Sequence, residues 1–359
     1  VGAQYPGAAL PGRLGQLLLE GLPGGVGIGE ALGNDDQRPD ALLHALPDCR
    51  QHRVSGQAYH RYVYRIGDLG YAPAQELMFT NVLEDLNAAP LDFVFHLGDL
   101  AADENTCRDE DYRKRLAQFQ ASVHPFIYTP GDNDWTDCHR TRPTRPSYDP
   151  LERLTKVREL FFGTEETLGK RTVPVWRESR NPAYAKYREN MRFSFRDVTV
   201  ITVHQPGSNN NFGRTPEMDA EWAERNEANV VWLVDGFAEA NRLGNRGVVI
   251  FTQANMFGEF TPSDPDTGFA DFRQHLLTQT VAFGKPVVLF NGDTHNFRID
   301  KPLSYPGNFP PDRRPVVENF TRVEGFGAPN HHWVHVATDP TDPNLFVIRQ
   351  HIVEKNRRR

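Results

Sequence analysis

Four Gly–Asp pairs in this chain each close an apolar run: Ile66-Gly67-Asp68-Leu69-Gly70, Leu97-Gly98-Asp99-Leu100, Pro130-Gly131-Asp132-Asn133-Asp134 and Phe290-Asn291-Gly292-Asp293-Thr294-His295. Short apolar runs of this kind read as buried strands, so each acid stands where a strand ends. In a parallel sheet those ends share one edge, where α/β proteins build their sites. Carboxylates crowded into one crevice repel one another and lose hydration unless a cation compensates them. The chemistry this pattern points to is a divalent-metal site. Phosphoryl chemistry on two metals needs a carboxylate shared between cations roughly 3.5–4 Å apart, with hard oxygen ligands and imidazoles around them. Asp68, Asp99, Asn133, Asp293 and His295 supply such a set from four strand ends.

The elements that must position these residues alternate in type. Tyr62–Ile66 reads as a strand, and Ala74–Leu86 carries Leu77, Met78, Val82, Leu83 and Leu86 at helical spacing. Leu91–Leu97 is a continuous apolar run and hence a buried strand; Glu110–Ser122 is helix-like, and Pro125–Thr129 is a third short strand. Such alternation makes parallel βαβ units. Residues 132–189 are rich in Arg, Pro and Thr and read as an excursion with one helix, Pro150–Phe162, of the kind that covers a site. Paired strands Arg192–Phe195 and Val198–Val203 follow, then a long helix Glu217–Asn241 with Trp222 and Trp232 in its core stripe. A strand Val248–Thr252, a helix Phe269–Ala282 and a strand Pro286–Phe290 lead to Trp333–Ala337 and Leu345–Ile352, two antiparallel closing strands. Residues 1–57 are Gly- and Pro-rich with weak periodicity, an arm with at most a short helix around Arg13–Glu20. The expected organisation is the arm 1–57, one domain 58–354 and a basic tail 355–359.

Charged residues make up 24% and hydrophobic ones 38% of the chain, a composition that folds. A formal charge of −7 lacks the basic surface that nucleic-acid binding requires. No apolar run reaches the roughly 20 residues of a membrane helix. The chain starts at Val1 without Met, as a mature or trimmed product would. Of the three cysteines, Cys107 follows Asp99 and Cys138 follows Asn133. If Asp99 and Asn133 meet at one metal, both cysteines lie on neighbouring loops. A Cys107–Cys138 disulfide then fits, and with it an oxidising, secreted or periplasmic location. Two reduced thiols in a cytoplasmic enzyme are the alternative.

As a set, these motifs resemble those of the calcineurin-like metallophosphoesterase superfamily. That superfamily carries a first Asp motif, Gly-Asp, Gly-Asn-His-Asp/Glu, an isolated His and Gly-His-x-His, in this order. Gly67-Asp68-Leu69-Gly70 is similar to the Gly-Asp-x-Gly form of the purple acid phosphatases, and the likeness runs from about Tyr62 to Phe297. It implies an α/β four-layer sandwich, two mixed β-sheets face to face and flanked by helices. It further implies that Asp68 holds a first metal, that Asp99 bridges both, that Asn133 binds the second and that His295 binds the first. Ala102 stands where the purple acid phosphatases carry Tyr, Asp134 replaces the His of Gly-Asn-His, Gln253 replaces the isolated His, and Asp293 replaces the first His of the last motif. The chain thus looks like a variant branch. Its second site reads Asp99, Asn133, Gln253 and Asp293, oxygen donors that suit Mg²⁺, Mn²⁺, Ca²⁺ or iron better than Zn²⁺. One or two cations are expected.

The activity implied is hydrolysis of a small phosphorylated substrate, a monoester or a diester, by in-line attack of a metal-bound hydroxide. Asp134 would act as leaving-group acid, with His204 and His139 as alternatives, and Arg140 would offset phosphate charge. Plainer readings stand beside these. Asp68 and Asp99 also suit helix N-caps, Asp293 a partner of a ligating group, and Gln253 a buried hydrogen-bonded amide. Asp134 also suits a structural loop carboxylate, His204 and His96 packed core histidines, and Arg140–Arg145 a solvated loop. His331, His332 and His335 read as structural. The four replaced positions also admit a non-catalytic binding protein on the same scaffold, and the arm admits an interaction protein that docks a partner.

Overall fold

The computed structural model describes residues 60–67, 73–100, 107–140, 147–257, 267–307, 309 and 313–357, all of them within the unit Gln51–Arg359. The arm 1–57 with its expected helix, Asp68 and Ala102 lie outside the described residues.

One sheet has five strands in the order β12-β11-β1-β2-β3. Its parallel part is β1 (His60–Ile66), β2 (Val94–His96) and β3 (Phe126–Tyr128), extended antiparallel by β11 (Trp333–Thr338) and β12 (Phe346–His351). The other has seven, in the order β4-β5-β6-β7-β8-β10-β9. There β6 (Val198–Thr202), β7 (Gly247–Phe251), β8 (Val287–Asn291) and β10 (Phe320–Glu324) run parallel. Antiparallel strands β4 (Trp176–Arg177), β5 (Met191–Phe195) and β9 (Arg298–Asp300) finish its two edges. The strands β6, β7 and β8 are buried at every position, as parallel strands covered on both faces must be, which explains their unbroken apolar composition.

The two sheets meet face to face through aromatic rings. Phe95 of β2 stacks on Phe251 of β7 with centroids 3.9 Å apart, and Phe93 packs against Phe193 and Phe195 of β5 at 5.0 and 4.9 Å. Strand alternation turns His96 to the opposite face, where it lies among Phe79, Phe119 and Tyr128. That face is covered by α1 (Pro73–Ala88) and α2 (Asp109–Gln120). On the far side of the seven-stranded sheet, Ile201, Ile250 and Leu289 pack with Trp232, Leu233 and Phe237 of α5 (Pro216–Arg242) and Phe272 of α6 (Ala270–Phe283). The result is a four-layer α/β sandwich of two mixed sheets flanked by helices. No described helix is long and apolar enough to cross a membrane.

Local chemistry starts and stops these elements. Thr215 caps α5 by accepting from the Met218 N–H, and Pro216 opens its first turn. Asp149 caps α3 (Pro150–Phe161) through the Leu151 N–H at 2.8 Å, and Gly284 ends α6 in the left-handed conformation. Strands β9 and β10 are absent from the sequence reading. In β10, Arg322 and Glu324 are fully buried and pair with Asp300 and Arg298 of β9, so hydropathy alone hides the strand. The apolar run Leu91–Leu97 yields only a three-residue strand, with Leu91 and Phe93 buried ahead of it. Cys107 and Cys138 are joined in a disulfide with Cα atoms 5.8 Å apart, tying the start of α2 to the loop after β3.

Candidate active site

The carboxyl ends of β2, β3, β7 and β8 bring their loops together. At the end of β2 the chain turns through Gly98 (φ 77°) and Asp99 (φ 57°), and beyond β8 through Asp293 (φ 80°) and His295 (φ 64°). Left-handed backbone at a non-glycine residue costs about 1–2 kcal/mol, a strain that collects at functional sites. Two glycines make room for the acids that result. A Cβ on Gly131 would overlap Asp99 Oδ1, and one on Gly207 would stand 2.7 Å from Asp132 Oδ2 and 2.9 Å from Asp293 Oδ1. Asp132 and Asp293 therefore lie together beside Gly207, and Asp99 lies against Gly131.

Gln253, just past β7, ties the cluster together. Its Oε1 accepts from the Gly207 N–H at 2.6 Å, which orients the amide so that Nε2 donates to Asp99 Oδ2 and Asp132 Oδ1, each at 3.1 Å. The oxygen expected to face a cation is thus engaged by backbone, and the amide nitrogen lies toward both carboxylates. Asp99 Oδ1 accepts from the Asn133 N–H at 3.2 Å; the Asn255 N–H donates to Asp293 Oδ2 at 3.3 Å. The His295 Nδ1–H donates to the Ala328 carbonyl at 2.7 Å, which puts its lone pair on Nε2, the ligating form of a neutral imidazole. Among the described residues no three His, Cys, Asp or Glu side chains form a metal-holding group. In donor chemistry the carboxylate oxygens of Asp132 and Asp293 beside Gly207, and of Asp99 beside Gly131, are hard donors of the kind a divalent cation takes.

The expected proton donors stand elsewhere. Asp134 is buried, and its carboxylate accepts from the N–H groups of Asp99 (3.0 Å), Leu100 (2.6 Å) and Gly131 (2.7 Å) and from Tyr128 OH (2.7 Å). Those donors come from both loops, so Asp134 staples the β2 and β3 ends to each other, while burial raises its pKa to about 6. His204 is fully buried. Its Nδ1–H donates to Glu189 Oε1 at 2.9 Å, and its Nε2 accepts from Trp135 Nε1–H at 3.1 Å. Burial lowers its pKa to about 4, so it is neutral, with both ring nitrogens committed. His139 Nδ1 lies 2.7 Å from the Thr136 carbonyl and 2.7 Å from Arg214 Nη1. Arg140 pairs with Asp137 at 2.8 Å and donates to Ser208 Oγ at 3.3 Å.

Four further residues enter the crevice that the sequence reading did not single out for roles: Asp132, Asp137, Ser208 and Arg214. Ser208 Oγ stands 2.9 Å from both Asp132 Oδ2 and Asp137 Oδ1. A hydroxyl has one proton to give, so the other short contact needs a proton on a carboxyl. Asp137 suits that role, because burial and then the neighbouring Asp132 raise its pKa. Ser208 belongs to α4 (Gly207–Asn210), a single turn in which Ser208, Asn209 and Asn210 all have positive φ, continued by Asn211 at 68°. Arg225 holds this turn by donating to the Asn210 side chain and carbonyl at 2.6 and 3.0 Å. The run Ser208-Asn209-Asn210-Asn211 after Pro206-Gly207 was the available signal, since Asn tolerates left-handed backbone better than other side chains.

No family model matches the chain, and no curated protein matches its sequence. Solved structures do align with most of it. The TT1561 protein of Thermus thermophilus aligns over 82% of this chain and 100% of its own, with 10% identity and a TM-score of 0.43. A candidate 5'-nucleotidase of Staphylococcus aureus, in complex with alpha-ketoglutarate, aligns over 81% of this chain and 53% of its own, with 11% identity and a TM-score of 0.43. The reading of the site stands on the geometry above.

Proposed function

We propose that this chain is a metal-dependent phosphoester hydrolase acting on a small phosphorylated substrate at the carboxyl ends of β2, β3, β7 and β8. The observation that carries the reading is the placing of Asp132 and Asp293 about Gly207 and of Asp99 against Gly131, with Gln253 donating to both Asp99 and Asp132. Asp68, Asp99, Asp132, Asn133, Asp293 and His295 would hold one or two divalent cations, with Gln253 orienting Asp99 and Asp132. A cation there would supply Lewis-acid polarisation of a phosphoryl oxygen and an acidified water. The residues of the chain do the rest. Arg140 and Arg214 border the crevice and offer guanidinium N–H groups to phosphate oxygens. Asp137 holds a proton toward Ser208 Oγ and is the acid placed to assist a leaving group. Asp134, buried behind the loops, holds the β2 and β3 ends in register. The disulfide fits an oxidising compartment.

The test is turnover of p-nitrophenyl phosphate and its bis-ester with Mn²⁺ or Mg²⁺, alongside the metal content of the purified chain. The expected result is cation-dependent hydrolysis that Asp99→Asn lowers by about a thousandfold, on the order of 4 kcal/mol of transition-state stabilisation. Full turnover in Asp99→Asn would end the proposal. A second reading, a binding protein on a degenerate scaffold, is favoured by the Gln253 amide nitrogen lying between two carboxylates. It predicts no turnover and no tightly held cation in the wild-type chain.

A further inference from the structure

Beyond the strand ends, a cavity of about 390 Å³ opens between the end of α3 and β4, lined among others by Phe162, Thr164, Glu165, Arg177, Ser179 and Arg188. Its most unusual wall is Arg177. This side chain is 2% exposed, yet the hydrogen bonds of its guanidinium go to backbone carbonyls: Nε to Thr164 at 2.6 Å, Nη1 to Arg188 at 2.6 Å and Nη2 to Glu166 at 3.1 Å. Carbonyl dipoles satisfy donors without neutralising the charge, and a buried cation without a bonded counter-ion is costly. A guanidinium carries five N–H donors, and three are used here. Its plane also lies over the Phe162 ring at 5.6 Å. Burial lowers the Arg177 pKa to about 10; Glu165 and Glu189 nearby favour the cation, and the exposed Arg188 adds a second positive charge against it. Glu165 is the acid among these lining residues, and its carboxylate is already paired with Arg180 at 2.7 Å.

We propose that this cavity is a binding site for a small oxyanion of the sulfate or phosphate type, distinct from the carboxylate crevice. Arg177 would contribute its remaining N–H donors from the buried wall, Arg188 would close over the anion from the mouth, and the Ser179 and Thr164 hydroxyls would complete the polar shell. Phe162 supplies an apolar wall, and the volume falls in the range of small-molecule sites. An oxyanion carrying an organic group would therefore fit as well as a free one.

Calorimetric titration of the full chain with sodium sulfate tests this, with Arg188→Glu as the variant because an exposed side chain can be reversed without loss of folding. The expected result is saturable sulfate binding that weakens by about tenfold or more in Arg188→Glu. Phenyl sulfate titrated in parallel separates the two forms of ligand: equal affinity marks a site for the free anion, and tighter binding of phenyl sulfate marks one for an anion borne on an organic group. A selenate soak of a crystal, read by anomalous scattering, places the anion and is expected to show a peak beside the Arg177 guanidinium. Undiminished sulfate affinity in Arg188→Glu, or selenate found only outside the cavity, overturns the proposal.

Discussion

Two groups of buried acids lie close together in this molecule and are compensated in opposite ways. Glu189, fully buried, receives both Arg158 Nε and Nη2, at 2.9 and 2.5 Å, and the Nδ1–H of His204 at 2.9 Å. Burial alone would raise its pKa, but Arg158 and then His204 outweigh that and hold it well below the carboxylate range. At the strand ends, Asp99 accepts from the Gln253 amide and the Asn133 N–H, Asp132 meets the Gln253 amide and the Ser208 hydroxyl, and the neighbouring Asp137 pairs with the half-exposed Arg140. The first group brings its own cation, Arg158, and serves as scaffold: through His204 and Trp135 it props the loop that carries Asp132, Asn133 and Asp137. The second gathers Asp99 and Asp132 on neutral donors, with Arg140 on the neighbouring Asp137.

The sharpest way to break this contrast is to remove one acid from each group. Glu189→Gln leaves Arg158 buried without its partner and should cost about 3–5 kcal/mol in denaturant unfolding. Asp99→Asn should change stability by less than about 1 kcal/mol without added metal, because its loss relieves repulsion within the crevice. Equal losses in the two variants would mean that the crevice is as fully compensated as the scaffold.

The crevice loop is also stapled covalently. Replacing both Cys107 and Cys138 by Ser removes a cross-link of sequence separation 31 and should lower unfolding stability by about 3–4 kcal/mol. Asp134→Asn should cost about 2 kcal/mol, since one amide oxygen cannot serve donors that two carboxylate oxygens now share. Its effect on turnover should exceed that of an equally destabilising change in α6, because it loosens the β2 and β3 loops. Equal turnover losses at matched stability would remove Asp134 from the positioning of the site.

A further effect is in the pH profile. His204 is held neutral with a pKa of about 4 against an ordinary 6.5, so the unfolded chain binds the extra proton between those values. Its contribution is complete above pH 6.5 and is lost as pH falls toward 4. Glu178 runs the other way. Burial raises its pKa from 4.5 to about 8, so the folded chain holds the extra proton and stability declines as pH rises through that window. Glu178→Gln should flatten the decline between pH 6.5 and 8 while leaving the acid limb in place. An unchanged decline would show that Glu178 does not cause it.

Much of the frame was legible in the sequence because burial on both faces writes itself as unbroken apolar runs. Strands β2, β3, β6, β7 and β8 fall within a few residues of expectation for that reason, and helices α1, α2, α3, α5 and α6 do so through their one-sided apolar spacing. Strand β10 did not, because its buried charges, Arg322 and Glu324, pair with β9 and hide the period. The Gly–Asp motifs marked the strand ends, yet the orientation of side chains around them was beyond reach. The sequence by itself determined that acids from distant stretches would stand at strand ends, since apolar periodicity sets strands and strands set their ends; only the structure divides those strands between two sheets, β2 and β3 in one and β7 and β8 in the other. Only the tertiary structure decided what each acid does there. Asp134 became a loop staple, Gln253 an amide turned by the Gly207 N–H, and His204 a prop behind Trp135, whereas Asp132, Asp137 and Ser208 came forward. Hydrogen-bond direction and burial depend on partners more than a hundred positions away in the chain, as for Gln253 and Asp99, and no local pattern encodes them.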